Sequence, residues 1–270
     1  MSRTITLPTK PVEPSRTSPR LFVLYSPPKC GKTTLLSTLK GNMMLDFESG
    51  TDFLTSMSMN IIGLSAPVNE TDDSFKDRMD SNPKKYYLNE AGKAIMEAKR
   101  PYEFITVDTI SVLEDLTNIQ ASINYKATAI GKNFEGNDVA DLPKGSGYKW
   151  MRESFMDTIN RIRKLADNII LIGHVRDSVI EKEGKEVDHK DIDLIGKVKG
   201  ILCSEADAVG YLHRGKEGEL LINFKSSDQL VCGSRCNHLK GQVIKIADYD
   251  EEKNELVNIN WKLIYPDKNV

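Results

Sequence analysis

Short runs of apolar residues recur along the first two thirds of the chain. Residues 21–25 form the first run, and similar runs follow at residues 43–45, 104–107 and 169–172. Short, nearly uninterrupted runs of this kind are typical of strands buried on both faces, as in a parallel sheet. The pattern therefore predicts four central strands of one sheet.

Between the last two runs, apolar residues recur at the spacing of one helix face: Phe155, Ile159, Ile162 and Leu165. Strands alternating with helices predict an α/β fold built on a mainly parallel sheet. Four further runs lie close together, with short polar links between them, at residues 208–212, 220–224, 243–246 and 257–261. Their spacing predicts antiparallel strands that extend the sheet at one edge.

Three segments lack a clear pattern, namely residues 67–90, 128–149 and 176–193. We predict irregular structure for all three, because long patternless segments inside a compact domain are usually functional or disordered. Residues 1–20 contain four prolines among polar side chains and are interpreted as a mobile tail. With no internal repeat or long linker, residues 21–265 are interpreted as a single domain.

Composition narrows the class of protein. The 270 residues have a net charge of −2, so any contact with nucleic acid must come from a local patch rather than from overall charge. No stretch reaches the roughly 18 apolar residues that a membrane-spanning helix needs. Only four cysteines are present, which favours a reducing, cytoplasmic location over a disulfide framework.

A Walker A motif follows the first predicted strand and begins a helical stretch. It comprises nine consecutive residues: Ser26, Pro27, Pro28, Lys29, Cys30, Gly31, Lys32, Thr33 and Thr34. Backbone N–H groups in such a loop bind phosphate, while the lysine reaches the β- and γ-phosphates and the threonine hydroxyl holds Mg²⁺. Ser26 stands where the usual motif has its first glycine. Because the motif lies between a predicted strand and a helix, it predicts a site that binds a nucleoside triphosphate.

Three polar residues near the ends of other predicted strands are candidates for the chemistry. Asp108 ends its strand where a Walker B carboxylate binds the metal, although it could instead cap the next helix. Glu48 follows a second strand and could polarise a water as general base, or lie in a solvated strand end. His174 ends the fourth strand and could contact the γ-phosphate, or serve as a structural hydrogen bonder.

The ordered set of motifs resembles the RecA-like ATPase core. Within that core it resembles the phage-type AAA/RecA-like proteins of the single-strand annealing and recombination group. The residues that carry this likeness lie in five segments, 24–34, 45–51, 105–109, 171–175 and 206–212, together with 233–235. The likeness covers about residues 20–245.

The resemblance implies specific roles and partners. Glu48 matches the catalytic glutamate of the family, Asp108 matches its Walker B aspartate, and His174 takes the place of a polar sensor. Residues 128–149 and 176–193 fall where such proteins place DNA-facing loops. The resemblance also implies ATP bound between protomers of a ring or filament, which nominates Lys225 and Arg235 as contacts to a neighbouring subunit's nucleotide.

Charge limits the expected affinity for DNA. Residues 176–200 contain six basic and seven acidic side chains, whereas residues 126–164 contain eight basic and five acidic ones together with four aromatic residues. A groove for single-stranded DNA should be positive and should offer aromatic rings for base stacking. We therefore expect modest binding of single-stranded DNA that weakens steeply with salt.

Two other functions remain open. The same loop could transfer phosphate to a small molecule, as in a kinase. Kinases of that kind usually close a lid that carries several arginines, whereas residues 67–100 and 128–149 contain only two, Arg78 and Arg100. Alternatively, ATP could control assembly with a replication or packaging partner. Cys232, Cys236 and His238 do not by themselves complete the four ligands of a structural zinc site.

Overall fold

A computed structural model describes residues 9–61, 83–182 and 184–270. The helices longer than one turn are α1 (Lys32–Ser37), α2 (Pro83–Glu97), α3 (Ile110–Lys126), α4 (Gly147–Ile162) and α5 (Lys197–Glu205). The first six strands are β1 (Leu21–Ser26), β2 (Asn42–Asp46), β3 (Ser58–Asn60), β4 (Phe104–Asp108), β5 (Asn168–Lys182) and β6 (Lys185–Ile192). The others are β7 (Ala208–Arg214), β8 (Leu220–Asn223), β9 (Gly233–Ser234), β10 (Val243–Asp250) and β11 (Glu255–Val257).

The described strands form one sheet in the order β11-β10-β8-β7-β1-β5-β4-β2-β3. The six strands from β7 to β3 in this order are parallel, and β1 lies at the centre between β5 and β7. Strands β8, β10 and β11 continue the sheet antiparallel. The predicted fold class, a mainly parallel α/β sheet extended by antiparallel C-terminal strands, is confirmed.

Both faces of the central strands are covered, which explains their continuous apolar runs. Within β1, Leu21 and Val23 pack with helices α2 to α5 on one face of the sheet. Phe22 and Leu24 point to the other face and pack with α1 and the C-terminal segment around Trp261. The helix predicted from the spacing of Phe155 and its neighbours is α4.

The last predicted strand is displaced. β11 ends at Val257, whereas Trp261 begins a short 3-10 turn. The prediction of a strand over residues 257–261 was wrong because Trp261 is buried by packing against the sheet rather than within it; its indole N–H donates to the Thr38 hydroxyl, with 3.1 Å between the two heavy atoms.

The prediction of an irregular segment at residues 176–193 was wrong. Strands β5 and β6 form a long antiparallel hairpin there, with Val175 opposite Ile192 and Glu181 opposite Glu186. Many side chains of this hairpin are exposed, so neither face imposes the apolar alternation by which a half-buried strand is recognised. Backbone pairing, which the side-chain pattern does not report, holds the two strands together.

Residues 128–149 are also more ordered than predicted. They contain three short 3-10 turns, at Gly131–Asn133, Val139–Asp141 and Pro143–Gly145. Val139 and Leu142 are buried in a small apolar cluster against α3 and α4. The apolar anchors are too few and too unevenly spaced to give a periodic signal.

Of the predicted irregular segment 67–90, residues 67–82 lie outside the described residues, and the remainder is helical as the start of α2. Of the predicted tail, residues 1–8 also lie outside them. Ser18 is buried, and its hydroxyl hydrogen bonds to Asp267. Among the described residues, every helix is too short or too polar to span a lipid bilayer.

A buried carboxylate on α3 gives a pH-dependent prediction. Glu114 is 6% exposed and accepts the backbone N–H of Ile195, with N–O distances of 2.9 and 3.1 Å. Burial raises the pKa of Glu114 to about 7. Because the folded state holds this proton more tightly than the unfolded chain, the contribution of Glu114 to stability falls as pH rises from about 4.5 to about 7.

Glu114→Gln keeps an oxygen for the Ile195 N–H but cannot ionise. We expect the variant to match the wild type at pH 5 and to exceed its free energy of unfolding by about 2 kcal/mol at pH 8. Urea denaturation at both pH values measures the difference, with the exposed Glu97→Gln as control. A difference that is the same at both pH values would contradict the assignment.

Candidate nucleotide-binding site

The loop between β1 and α1 has the backbone that a phosphate site requires. β1 ends at Ser26 and α1 begins at Lys32. Gly31 has a φ of 105° and Lys29 a φ of 62°, so the chain turns through left-handed conformations immediately before the helix. Gly31 accommodates its φ because it lacks a Cβ. The turn places Lys32 and Thr33 at the carboxyl end of the central strand.

Ser26 is accommodated by a specific contact. The residue is fully buried, and its hydroxyl donates to the Pro27 carbonyl at 2.8 Å. The Lys32 Nζ donates to the Ser26 hydroxyl at 3.0 Å, and to the carbonyl oxygens of Ser26 and Pro27 at 3.3 Å each. The departure from the usual glycine therefore supplies one of the groups that hold the Lys32 ammonium.

Lys32 itself is 6% exposed. Burial lowers the pKa of Lys32 below its usual value, and the nearby carboxylate of Asp108 opposes this shift. Its polar contacts are loop oxygens, which a bound triphosphate could replace with anionic oxygens. An ammonium in this state is suited to a strongly anionic ligand.

Asp108 ends β4 next to the loop. Its Oδ2 accepts a hydrogen bond from the Thr33 hydroxyl at 2.7 Å, and the peptide bond between Asp108 and Thr109 is cis. Burial raises the pKa of Asp108 to about 6. A carboxylate and a hydroxyl in direct contact are oxygen donors of the kind that Mg²⁺ prefers, so the two residues fit the predicted metal site.

Glu48 follows β2 and reaches the same place from the neighbouring strand. Its Oε1 accepts a hydrogen bond from the Thr109 hydroxyl at 2.8 Å and lies 3.6 Å from the His174 Nε2. The His174 imidazole, with help from the Thr109 hydroxyl, lowers the pKa of Glu48 below its usual range. The carboxylate is therefore held ionised and oriented by two neighbours.

The turn that carries Glu48 is organised by Asp46, which was not among the site residues predicted from the sequence. Its carboxylate accepts the backbone N–H groups of Glu48, Gly50 and Thr51, at 2.9, 3.2 and 2.8 Å, and the Thr51 hydroxyl at 2.6 Å. An aspartate followed within a few residues by Ser-Gly is a signal for such a side-chain-to-backbone turn. Thr109, which orients Glu48, had no comparable signal.

Asp46→Ala should collapse this turn. The substitution leaves three amide N–H groups without their acceptor, of which that of Thr51 is buried, and it removes the acceptor of the buried Thr51 hydroxyl; we expect it to lower the free energy of unfolding by about 3 kcal/mol. Urea denaturation tests this, with the exposed Asp52→Ala as the control that should change little. Equal stability of the two variants would show that the turn does not depend on Asp46.

A cavity of about 510 Å³ lies over the loop. Nine of the predicted site residues line it: Pro28, Lys29, Gly31, Lys32, Thr33, Thr34, Glu48, Asp108 and His174. Ser26, Pro27 and Cys30 do not line the cavity. The carbonyl oxygens of Ser26 and Pro27 accept hydrogen bonds from the Lys32 ammonium, and the Cys30 thiol faces the Leu212 carbonyl. Phe53, which is 94% exposed, also lines the cavity. The structure thus gathers residues from the ends of β1, β2 and β4 around one cavity. The prediction that His174 ends its strand was wrong, because β5 continues to Lys182 as one arm of the β5–β6 hairpin; His174 lies within β5, where its parallel pairing with β1 ends.

Lys225 and Arg235 do not join this cavity. β8 runs antiparallel to β7, so Lys225, just beyond its end, lies towards the amino ends of the parallel strands. The Arg235 guanidinium donates to the Ser204 carbonyl, and its backbone N–H donates to the Asp207 carbonyl at 2.8 Å, at the start of β7. Both residues are exposed and lie away from the loop of their own chain.

The cysteines do not form a metal centre in the described part of the chain. No group of three or more His, Cys, Asp or Glu side chains there is arranged to hold a metal ion. The His238 Nε2 instead lies 3.1 Å from the Ile264 carbonyl oxygen.

Known proteins similar to this chain include members of one domain family and one solved structure. The model of the AAA domain family matches residues 18–236. No curated protein matches the chain. Among solved structures, the crystal structure of the RadB recombinase is similar over 85% of this chain and 89% of that chain, with 14% identity and a TM-score of 0.39. Because the family model matches residues 18–236, most of the chain, the protein belongs to the AAA domain family.

Proposed function

We propose that the protein hydrolyses ATP in a Mg²⁺-dependent reaction and that hydrolysis controls its binding to single-stranded DNA. The observation that carries the proposal is the convergence of Lys32, Glu48, Asp108 and His174 on one cavity. Phosphoryl transfer to water needs a cation that binds the phosphates, one carboxylate that holds the metal, another that activates the water, and a polar side chain at the γ-phosphate.

The two carboxylates are suited to different tasks. Asp108 is buried against the Thr33 hydroxyl, and together they would hold Mg²⁺, which neutralises phosphate charge when it is bound. Glu48 is partly exposed and ionised, and it can accept a proton from water. As the water oxygen bonds to the γ-phosphorus, the bond to the β-phosphate oxygen breaks, which yields ADP and phosphate.

His174 connects this site to the β5–β6 hairpin. Its Nε2 faces Glu48, and its carbonyl accepts the Asp193 N–H at 2.9 Å, just beyond the end of β6. A change at the γ-phosphate position could therefore reach the hairpin through one residue. This link supports the proposal that nucleotide state controls the DNA-facing segments.

The kinase alternative has less support. Of its two candidate lid arginines, Arg78 lies outside the described residues, and Arg100 pairs with Asp167 at 2.7 Å instead of facing the cavity. The assembly alternative predicts slow turnover that DNA does not change.

Phosphate release with and without a single-stranded oligonucleotide tests the proposal. We expect Mg²⁺-dependent release that increases when the oligonucleotide is added and that is lost on chelation of Mg²⁺. Release that the oligonucleotide leaves unchanged would contradict control by DNA and favour the assembly alternative.

We further propose that ATP is bound between protomers and that Lys225 or Arg235 reaches a neighbour's nucleotide. Their exposure away from their own cavity supports this arrangement. Mixing Arg235→Ala with Asp108→Asn should partly restore hydrolysis, because one intact composite site can form. No restoration in either this mixture or the corresponding Lys225→Ala mixture would contradict the shared site.

A further inference from the structure

A second cavity, of about 490 Å³, lies between α3, α4 and the start of α5. We call it the basic pocket. Four of the side chains that line it are cationic, Lys144, Lys149, Arg152 and Lys197, and Glu114 is the one carboxylate. This local excess of positive charge contrasts with the net charge of −2 of the whole chain.

The cations of the basic pocket are not neutralised by their described neighbours. Lys149 lies 3.7 Å from Glu153, and both side chains are more than half exposed, so this pair is weak. Within the described ranges, Lys144, Arg152 and Lys197 have no carboxylate within ion-pair distance. Glu114 is occupied by the Ile195 N–H. Three cations are thus available to an anion that enters the pocket.

Two further features favour a phosphate over a simple counter-ion. Helices α4 and α5 both begin at the pocket; the Ser146 side chain does not cap α4, and Gly196, which precedes α5, has no side chain that could cap it. Their first N–H groups add positive potential to that of the side chains. Tyr148, which is 50% exposed, and Ile195 supply an aromatic and an apolar wall for a base or sugar.

We propose that the basic pocket binds a nucleoside phosphate, separately from the nucleotide at the Walker A loop. The choice of a nucleoside phosphate rests on the proposed function, because a DNA strand carries this unit at every position. A free nucleotide carries the same chemistry, and the two sources differ only in the length of the ligand.

The contacts also join the basic pocket to the ATP site. Glu114 lies on α3, five residues after Thr109, the N-cap residue of that helix. Ile195 lies two residues after Asp193, whose carbonyl accepts the Ser111 hydroxyl at 3.2 Å. A ligand in the basic pocket would therefore contact α3, whose N-cap residue Thr109 contacts Glu48, and the segment after β6, in which Asp193 contacts His174.

Charge reversal tests the assignment. Fluorescence anisotropy of a labelled 20-nucleotide oligothymidylate should show that Arg152→Glu and Lys197→Glu each raise Kd at least tenfold and reduce its salt dependence. Arg152→Lys should retain most of the affinity. Lys240→Glu, an exposed site outside the pocket with the same change in charge, should stay within twofold of the wild type, and thermal unfolding checks that each variant is folded.

Unlabelled thymidine monophosphate distinguishes the two sources. Displacement of the oligonucleotide at submillimolar concentration assigns the pocket to a free nucleotide, and no displacement assigns it to a strand. Reversal variants that bind the oligonucleotide as the wild type does would overturn the proposal, as would a wild type that binds neither probe. Phosphate release without oligonucleotide is measured in parallel, so a failure of ATP hydrolysis is distinguished from a failure of the pocket.

Discussion

Lys32→Ala is expected to weaken ATP binding at least 100-fold. The Lys32 ammonium is the most buried cation in the cavity, and its contacts are neutral oxygens of the loop. A triphosphate that enters the cavity would exchange these contacts for charge-assisted ones, which are roughly twice as strong. Alanine removes this gain and leaves the carboxylates of Asp108 and Glu48 facing the phosphates without a buried cation between them.

Titration with a fluorescent ATP analogue measures this loss. The matched control is Lys40→Ala, which removes an exposed lysine that does not line the cavity and should leave Kd within twofold of the wild type. A Lys32→Ala protein that is folded and binds ATP as tightly as the control would place the nucleotide elsewhere.

Glu48→Gln is expected to separate binding from hydrolysis. Glutamine keeps an oxygen that can accept the Thr109 hydroxyl, so the turn and the cavity should persist. The amide cannot take a proton from water, and the loss of a general base costs about 10²- to 10⁴-fold in rate. We therefore expect unchanged ATP affinity and a turnover at least 100-fold lower.

Phosphate release under single-turnover conditions, combined with the binding titration, measures the two effects separately. Glu97→Gln, an exposed change of the same kind at the end of α2, should have wild-type turnover. Unchanged turnover in the Glu48 variant would remove this residue from the mechanism, and a parallel loss of affinity would indicate a binding role instead.

The central sheet and the loop were predictable because their signals are local. The apolar runs reflect burial on both faces, and the Walker A residues are contiguous, so the backbone between Ser26 and Lys32 follows from the motif. Asp108 and His174 were recognisable because each follows an apolar run. Asp108 ends β4, and His174 lies where the parallel part of β5 ends, so both lie at the same edge of the parallel sheet. That Glu48 approaches the same cavity depends on the turn after β2.

Other features could not be read from the sequence because they depend on distant partners. The β5–β6 hairpin is stabilised by backbone pairing between polar strands, for which side-chain periodicity gives no signal. The contact between Thr109 and Glu48 spans 61 positions in the chain. The basic pocket gathers Glu114, Arg152 and Lys197 from three helices, so its charge is invisible in any one segment.

A crystal structure with Mg²⁺ and a non-hydrolysable ATP analogue tests the central claim most directly. The account predicts that the triphosphate lies along the loop from Pro28 to Thr34, with the metal held by Thr33 and Asp108 and with Glu48 facing the γ-phosphate. A nucleotide bound outside this cavity, or a Glu48 carboxylate directed away from the γ-phosphate, would contradict it.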